Sequence, residues 1–453
     1  MILEQFYLGC LSHASYLVGD ETTGQAVVVD PRRDVGEYLE YAKARDLEII
    51  GVFNTHFHAD FVAGHLELAA ATGAWIGYGA RAEAEYPIRT FRTGERISLG
   101  EVQLEALETP GHTWESTSLL VFEHPGEPAP SSVLTGDALF IGDVGRPDLA
   151  AAVGADPEEL ARAQFASVRT LMGLPAETRL LPAHGAGSAC GKNLSEELES
   201  TIGAQRFMNH LAMVDDEVAF VRELMSGQPA VPAYFALDAQ LNRHSRAVLG
   251  RDARVRGLSP EEFMNLRADG AVVVDGRSPT DFATGHVPGA VNVSLDGRFA
   301  ERVGMVFGPE DRLIVITDPG REEEAAVRAA RVGFDLVLGY LDGMPESLSA
   351  IASERSERMG ADELDAAMAA GAIVIDVRNP GERALGLIPG SRHIPLAEIP
   401  GRLAEIPRDA DLVLHCAGGV RSSVAASYLR MHGYGRVRDL IGGYTAWASL
   451  AVR

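Results

Sequence analysis

The sequence is short of cysteine, of basic residues and of long apolar runs, and each shortage excludes something. Three cysteines, Cys10, Cys190 and Cys416, stand among 453 residues. So few, and odd in number, they build no disulfide framework and fit a reducing, cytoplasmic setting. Any of them placed conspicuously is a candidate for chemistry. Lysine and arginine total 40 against 64 aspartates and glutamates, a net charge of −24. That balance repels nucleic acid and anionic membranes, and no compact basic stretch reverses it. No apolar run is long enough to span a bilayer. The opening "MILEQFYLGCLSHASYLVGD" lacks the basic start and sustained apolar core expected of a secretion signal.

What remains is a globular composition, 46% hydrophobic and 23% charged, on a chain too long for one core, so about two to four domains are expected. The first half alternates short strands and helices. "QAVVVD" (25–30) is a β-branched run stopped by Asp30-Pro31, "VGEYLEYAKARD" has a helical pattern, and "LEIIGVFNTH" is a strand that delivers His56 at its end. "RISLGEVQLEALETPGHT" predicts a hairpin turning at Gly100, and "SSVLTGDALF" a buried strand ending at Asp137. Each polar cluster thus follows a strand, where loops can converge on one site. Residues 215–252 begin as helix and then read as an extended connector, "SGQPAVPAYFALDAQLNRHSR".

Beyond the connector lies an internal repeat. "AVVVDGRSPTDFATGHVPGAVNV" (271–293) matches "AIVIDVRNPGERALGLIPGSRHI" (372–394), with Asp275 answering Asp376 and Pro288-Gly289 answering Pro389-Gly390. "RLIVITDPG" answers "DLVLHCAGG" further on. Each unit has the length and β/α alternation of a small parallel-sheet domain. Three domains are expected, over 1–245, 253–350 and 358–453.

The first domain carries His56, His58, Asp60 and His65 in "NTHFHADFVAGH", His112 in "TPGHT", Asp137 in "TGD" and His184 in "PAHG". Any single histidine, such as His13, His65 or His124, is ordinarily a surface or core residue. An ordered set, each member after a β-type run, points instead to metal. The combination resembles the metallo-β-lactamase superfamily, which implies an αββα sandwich. Hydrolases of that family, glyoxalase II included, place a histidine ligand after the Asp; here that position is Phe61, which has no donor atom. The strings "TGDALFIGDVGRPDL" and "PAHGAGSACGK" resemble one branch, the persulfide dioxygenases. The resemblance implies one Fe(II) per chain held by His56, His112 and Asp137, an arrangement with open positions for O₂. His58, Asp60 and His184 then orient the ligands and substrate, or serve as alternative ligands. Arg146, paired with Asp143, is a candidate contact for the substrate's carrier end. Cys190, beside Lys192 on a Gly-rich loop, is a candidate sulfur contact at the mouth of the site.

"HCAGGVRSS" (415–423) sits between an apolar run and a helical one. There Cys416 lies near helix N–H groups that favour thiolate. Gly418, Gly419 and Ser422 form an anion nest to which Arg421 adds a fixed charge. The loop resembles the C-x-x-G-x-R-S signature of rhodaneses, which carry a cysteine persulfide. In the first repeat "TDPGR" stands opposite, which puts Asp318 at the cysteine position and predicts an inactive rhodanese-like domain, whose favoured role is packing between the active domains and whose alternative role is docking a thiol carrier. The fold class is therefore α/β: an N-terminal αββα metallo-β-lactamase sandwich followed by two small parallel-sheet α/β rhodanese-like domains.

Together these resemblances imply a persulfide dioxygenase–rhodanese fusion for sulfide oxidation. A low-molecular-weight thiol persulfide and O₂ would give sulfite, and Cys416 would move sulfur between persulfide, sulfite and thiosulfate. No nucleic-acid or membrane partner is expected, and a homo-oligomer is compatible with the sequence. Two alternatives stand beside this reading: a zinc thioester hydrolase of the glyoxalase II type fused to rhodaneses, and a non-catalytic sulfur-relay or sensor protein.

Overall fold

The structure is a computed structural model that describes residues 1–250 and 255–451. It divides into two compact units, Met1–Gln228 with Phe235–Arg251, and Pro229–Tyr234 with Asp252–Arg453. The expected domain start at 253 and end at 453 lie outside the described residues.

In the first unit two six-stranded sheets face each other. One runs in chain order from Ile2–Leu8 through His13–Asp20, Gln25–Val29, Glu48–Phe53 and Trp75–Gly79 to Arg89–Phe91. It is antiparallel over its first three strands and parallel thereafter. The other orders Ser200–Thr201, Arg179–Pro182, Ser132–Gly136, Thr117–Phe122, Gln103–Glu108 and Arg96–Ser98. The last two are the predicted hairpin, turning through Gly100 at a positive φ.

Val18, Val27, Val29 and Phe53 from the first sheet interleave with Leu104, Leu119, Val121 and Leu134 from the second. Alternate residues of the same strands point outward. Val28 and Val52 pack against Tyr38 and Ala42 of helix Gly36–Lys43. Val133 and Leu180 pack against Val168 and Leu171 of helix Pro157–Met172. Strands buried on both faces need apolar residues at every position, which is why they read as unbroken runs such as "AVVV". The result is the expected αββα sandwich, with its polar clusters at strand ends.

One expectation gives way here. The stretch taken as an extended connector contains a helix, Tyr234–Arg243, two residues beyond Pro232. The Pro and Gly around it mask a sequence that otherwise has good helix formers.

The second unit holds the two repeats. Each is a five-stranded, all-parallel sheet with the same order. Strand Leu313–Ile316 is central in one, Leu412–His415 in the other, with Val272–Asp275 and Ile373–Asp376 beside them. The Asp-x-Arg motif proves structural in both. Arg277 binds Asp275 at 2.6 Å and the Gly285 carbonyl, and Arg378 binds Asp376 at 2.8 Å and the Gly386 carbonyl.

Candidate metal centre and cysteine loop

Three loops carry His56, His112 and Asp137 to one point. Their donor atoms lie within 4.8 Å of one another and all three residues are buried. His112 Nε2 is 3.6 Å and His56 Nε2 3.9 Å from Asp137 Oδ2. Neighbouring donors bound at about 2.1 Å to one ion sit about 3–3.5 Å apart, so a small contraction closes the set. His56 Nε2 and Asp137 Oδ2 are buried without a hydrogen-bond partner. Such orphaned atoms are costly unless something binds them. The donor set fits a metal ion.

The other side of each ligand is fixed. His112 Nδ1 meets the Arg146 carbonyl at 2.9 Å, and His56 Nδ1 meets Thr55 Oγ1 at 3.0 Å. Asp137 spends its Oδ1 on His184 Nδ1 at 2.8 Å. In every case the free atom is the one facing the centre. Burial keeps the His56 imidazole neutral, reinforced by the neighbouring His58. Burial also works against the Asp137 charge, but His184 and the other histidines hold its carboxyl well below the usual range. Both ligands are therefore in their metal-binding forms. Gly136 shows why "TGD" needs its glycine. It adopts φ 52°, and a Cβ there would meet Thr55 Oγ1 at 2.4 Å.

His58 Nε2 turns to Asp30 Oδ1 at 2.9 Å, and Asp30 also accepts from the Thr55 N–H and hydroxyl. His184 reaches Asp60 Oδ2 at 2.8 Å with its Nε2. Phe61 is fully buried, its ring 4.1 Å from His13 and 4.4 Å from His58. His13, read from the sequence as an ordinary surface or core histidine, is buried at the site with both nitrogens unpaired. His65 is also buried, against Tyr86, while His124 is exposed and pairs with Glu101.

Cys190 converges with Asp60 and His184, their donor atoms within 4.8 Å. Its expected environment needs correction. It is 1% exposed, so it lies inside the site and not at its mouth. Lys192 turns its ammonium to the Glu223 and Ser226 carbonyls. Burial, with Asp60 and Asp137 nearby, pushes the thiol up, so Cys190 is a protonated thiol.

Arg146 is corrected as well. It is fully buried, forks onto Asp148 at 3.1 and 2.7 Å and donates to the Ala189 carbonyl. Asp143 instead accepts from the Lys192 and Asn193 N–H groups. Arg146 shapes the loop under His112 and does not present a cation to a carrier. Cations nearer to solvent lie elsewhere, Arg81 exposed and Arg243 half-buried. A cavity of about 280 Å³ is lined by Phe57, Thr113, Trp114, Glu83, Glu115, Arg81 and Arg243, of which Phe57 and Thr113 adjoin His56 and His112 in the chain. Arg81 lies over Trp114 and Arg243 over Phe57. The helix bearing Arg243 also supplies Asn242, which binds the His58 and Phe61 carbonyls and the Ala63 N–H, each at 2.8 Å. Neither Asn242 nor Asp30 was foreseen; the only signal for Asp30 was a carboxylate ending the strand next to that of His56.

In the second unit Cys416 is buried at the end of strand Leu412–His415. Gly419, at φ 94°, directs its N–H to Cys416 Sγ at 3.1 Å and opens helix Val420–Met431. Ser422 Oγ is 3.7 Å from the sulfur. Arg421 is forked onto Glu382 at 2.6 and 2.7 Å. From beneath, Tyr444 and Thr445 donate to the Cys416 and Ala417 carbonyls. The cysteine counterpart in the first repeat also needs correction. Asp275 pairs with Ile316 and Asp376 with His415, so the next residues, Thr317 and Cys416, are equivalent. Asp318 is one step further and exposed. The alignment of "TDPGR" slipped by one because the loops differ in length. Thr317 carries a hydroxyl where the second repeat carries sulfur.

Residues 8–184 match the Metallo-beta-lactamase superfamily, and residues 259–349 and 360–450 each match the Rhodanese-like domain. A metallo-beta-lactamase from Staphylococcus aureus subsp. aureus COL is 30% identical with a TM-score of 0.68, covering 75% of this chain and 98% of its own. A sulfurtransferase of Allochromatium vinosum is 47% identical over 76 residues, 17% of this chain and 71% of that protein. A hydroxyacylglutathione hydrolase of Rhodospirillum rubrum is 30% identical over 234 residues, 51% of this chain and 82% of that protein. The chain belongs to the metallo-β-lactamase superfamily through its N-terminal sandwich and to the rhodanese-like family through both repeats.

Proposed function

We propose that the chain is an iron-dependent persulfide dioxygenase coupled to a rhodanese sulfurtransferase. The observation that carries this reading is the His56, His112 and Asp137 set beside a buried Phe61. Two imidazoles and one carboxylate on one side of an ion are the ligands of oxygen-activating iron, whereas binuclear hydrolases of the family place a histidine donor where Phe61 stands. Bound there, Fe(II) would supply redox chemistry toward O₂ at its open positions. The balanced reaction takes a persulfide, O₂ and water to the thiol and sulfite.

The residues around the ligands have defined work. Thr55 and the Arg146 carbonyl hold two imidazoles in one tautomer, and His184 keeps Asp137 ionised and oriented. Phe61 and His13 pack together on the far side of the centre, where they would limit access of bulk solvent. Arg81, exposed at the cavity, offers a carboxylate-bearing thiol carrier a cation in an otherwise acidic protein, while Arg243 there is paired with Glu115. Cys190 faces the sulfur as a neutral thiol. In the second unit Cys416 accepts sulfane sulfur, and the Gly419 N–H and Ser422 hydroxyl stabilise the persulfide anion.

The hydroxyacylglutathione hydrolase relative favours a second reading, a zinc thioester hydrolase, for which Asp60, His184 and Cys190 would help hold another ion. Metal content separates the two. Protein purified without oxygen should hold about one iron per chain, and His112→Ala or Asp137→Ala should lose both iron and O₂ uptake. Two tightly bound zinc ions in active protein would contradict the iron reading.

A further inference from the structure

The cations of its own repeat near the Cys416 loop are already paired, Arg358 with Asp439 and Arg421 with Glu382. Arg421 is forked onto Glu382. An incoming sulfur oxyanion therefore meets little uncompensated charge from the second repeat.

The first repeat faces this loop. Its helix Phe299–Val306 packs on segment Leu396–Glu398 and on helix Val420–Met431, which begins the turn after Cys416. The contact is pinned by side chains. The Asn292 N–H donates to Ser427 Oγ at 2.9 Å, and Ser423 donates to Asn292 Oδ1 at 2.7 Å. On that helix stands Arg302. Its Nη1 is buried with no hydrogen-bond partner, and among the described residues no carboxylate pairs with it. Its sequence neighbour Glu301 is occupied by Arg298 at 2.6 Å. Burial drives the guanidinium down to about 10, Glu301 and Cys416 pull it up, and Arg421 pushes it down. Arg302 thus shares the electrostatic field of Cys416 and Arg421. Arg302 is half-buried, but its Nη1 is held out of water without a partner, which is costly, and a bound anion relieves that cost. Its fork suits the oxygens of an oxyanion better than a lysine would.

We propose that Arg302, from the repeat that lacks a cysteine, is an anion-binding residue of the Cys416 site, holding the oxygens of sulfite or thiosulfate while sulfur moves to or from Cys416. This rests on the reading of Cys416 as the sulfur carrier. In the transfer step the Cys416 thiolate attacks the outer sulfur of thiosulfate. A new S–S bond forms, the S–S bond of thiosulfate breaks, and its electron pair leaves with sulfite. No external oxidant or reductant enters. Arg302 binds the three oxygens that carry charge before and after the step. The first repeat is then part of the active site and not only a packing partner.

The test uses the full chain as wild type, Arg302→Gln and Arg302→Lys, with thiosulfate as donor and dithiothreitol as acceptor. Arg302→Gln should raise the KM for thiosulfate about tenfold or more, and Arg302→Lys should recover a large part of that. Without anion the melting temperature of Arg302→Gln should equal or exceed that of wild type, because a half-buried cation with an unpartnered Nη1 has been removed. Sulfite should raise the wild-type melting temperature and protect Cys416 from iodoacetamide, and do neither in Arg302→Gln. An unchanged KM with undiminished sulfite protection overturns the proposal, as does a lowered melting temperature with sulfite binding intact. Should Arg302→Gln fail to fold, an unchanged KM in Arg302→Lys together with no sulfite shift in wild type overturns it equally. A wild type that transfers no sulfur, or a Cys416→Ser chain that still does, defeats the carrier reading itself.

Discussion

Asp30 holds more of the metal centre together than any residue singled out from the sequence. Its carboxylate receives the Thr55 N–H, the Thr55 hydroxyl and His58, and so fixes the start of the loop that carries His56. It also sits at φ 51°, a conformation that asparagine and aspartate tolerate better than alanine. Asp30→Ala should weaken metal binding about 10- to 100-fold, read by competition with a chelator, and Asp30→Asn should lose less. Equal affinity in Asp30→Ala would show that the loop holds itself. At this scale the sequence was legible where chemistry demands a residue type. His56, His112, Asp137 and Cys416 all arrive at the positions their motifs suggest. It was misleading where only proximity in the chain was available: Lys192 follows Cys190 by two residues yet turns away, and Arg146 takes Asp148 in place of Asp143. Side-chain direction depends on the backbone of the loop, which spacing does not specify.

Strands bounded by polar clusters were read well, because residues buried on both faces of a sheet leave an unmistakable run. Helix Tyr234–Arg243 was not, since Pro229, Pro232 and a polar tail conceal it. Its contribution comes through Asn242, which satisfies two carbonyls and one N–H of the His58–Ala63 turn. Asn242→Ala strands three buried backbone groups, each costing about 1–3 kcal/mol when unpaired. The melting temperature should fall by several degrees, and hydrogen exchange in peptides covering residues 58–63 should quicken before the sandwich strands do. Exchange that rises uniformly would mean the helix supports the whole unit and not this turn. The slip that placed Asp318 at the cysteine position belongs to this scale too. Strand register identifies Thr317, and register is a property of paired strands that a single alignment of loops cannot supply.

The whole molecule couples a sandwich that can hold a metal to a pair of identically ordered sheets, and the repeat itself was plain in the sequence. What the repeat does together was not, because Arg302 and Cys416 lie more than a hundred residues apart. The paired repeats should also carry a pH signature. Burial lowers His286 and His415 to about 4, so both stay neutral in the fold while the unfolded chain takes up protons near 6.5. Between those values the unfolded state binds more protons, and stability falls as pH drops from about 6.5 to about 4, by up to about 1.4 kcal/mol per pH unit for each group. Hydrogen exchange of strand Leu412–His415 should therefore show less protection at pH 5 than at pH 7 after correction for intrinsic rates; flat protection would contradict it. The two chemistries should separate by residue, since Cys416 and the metal ligands lie on different units. The most direct test of the account is oxygen uptake by the anaerobically purified Cys416→Ser chain given preformed glutathione persulfide. The account predicts consumption of O₂ with matching release of sulfite, alongside lost sulfur transfer from thiosulfate. Absence of O₂ uptake in iron-loaded wild type and variant alike, with hydrolysis of a glutathione thioester instead, would contradict it.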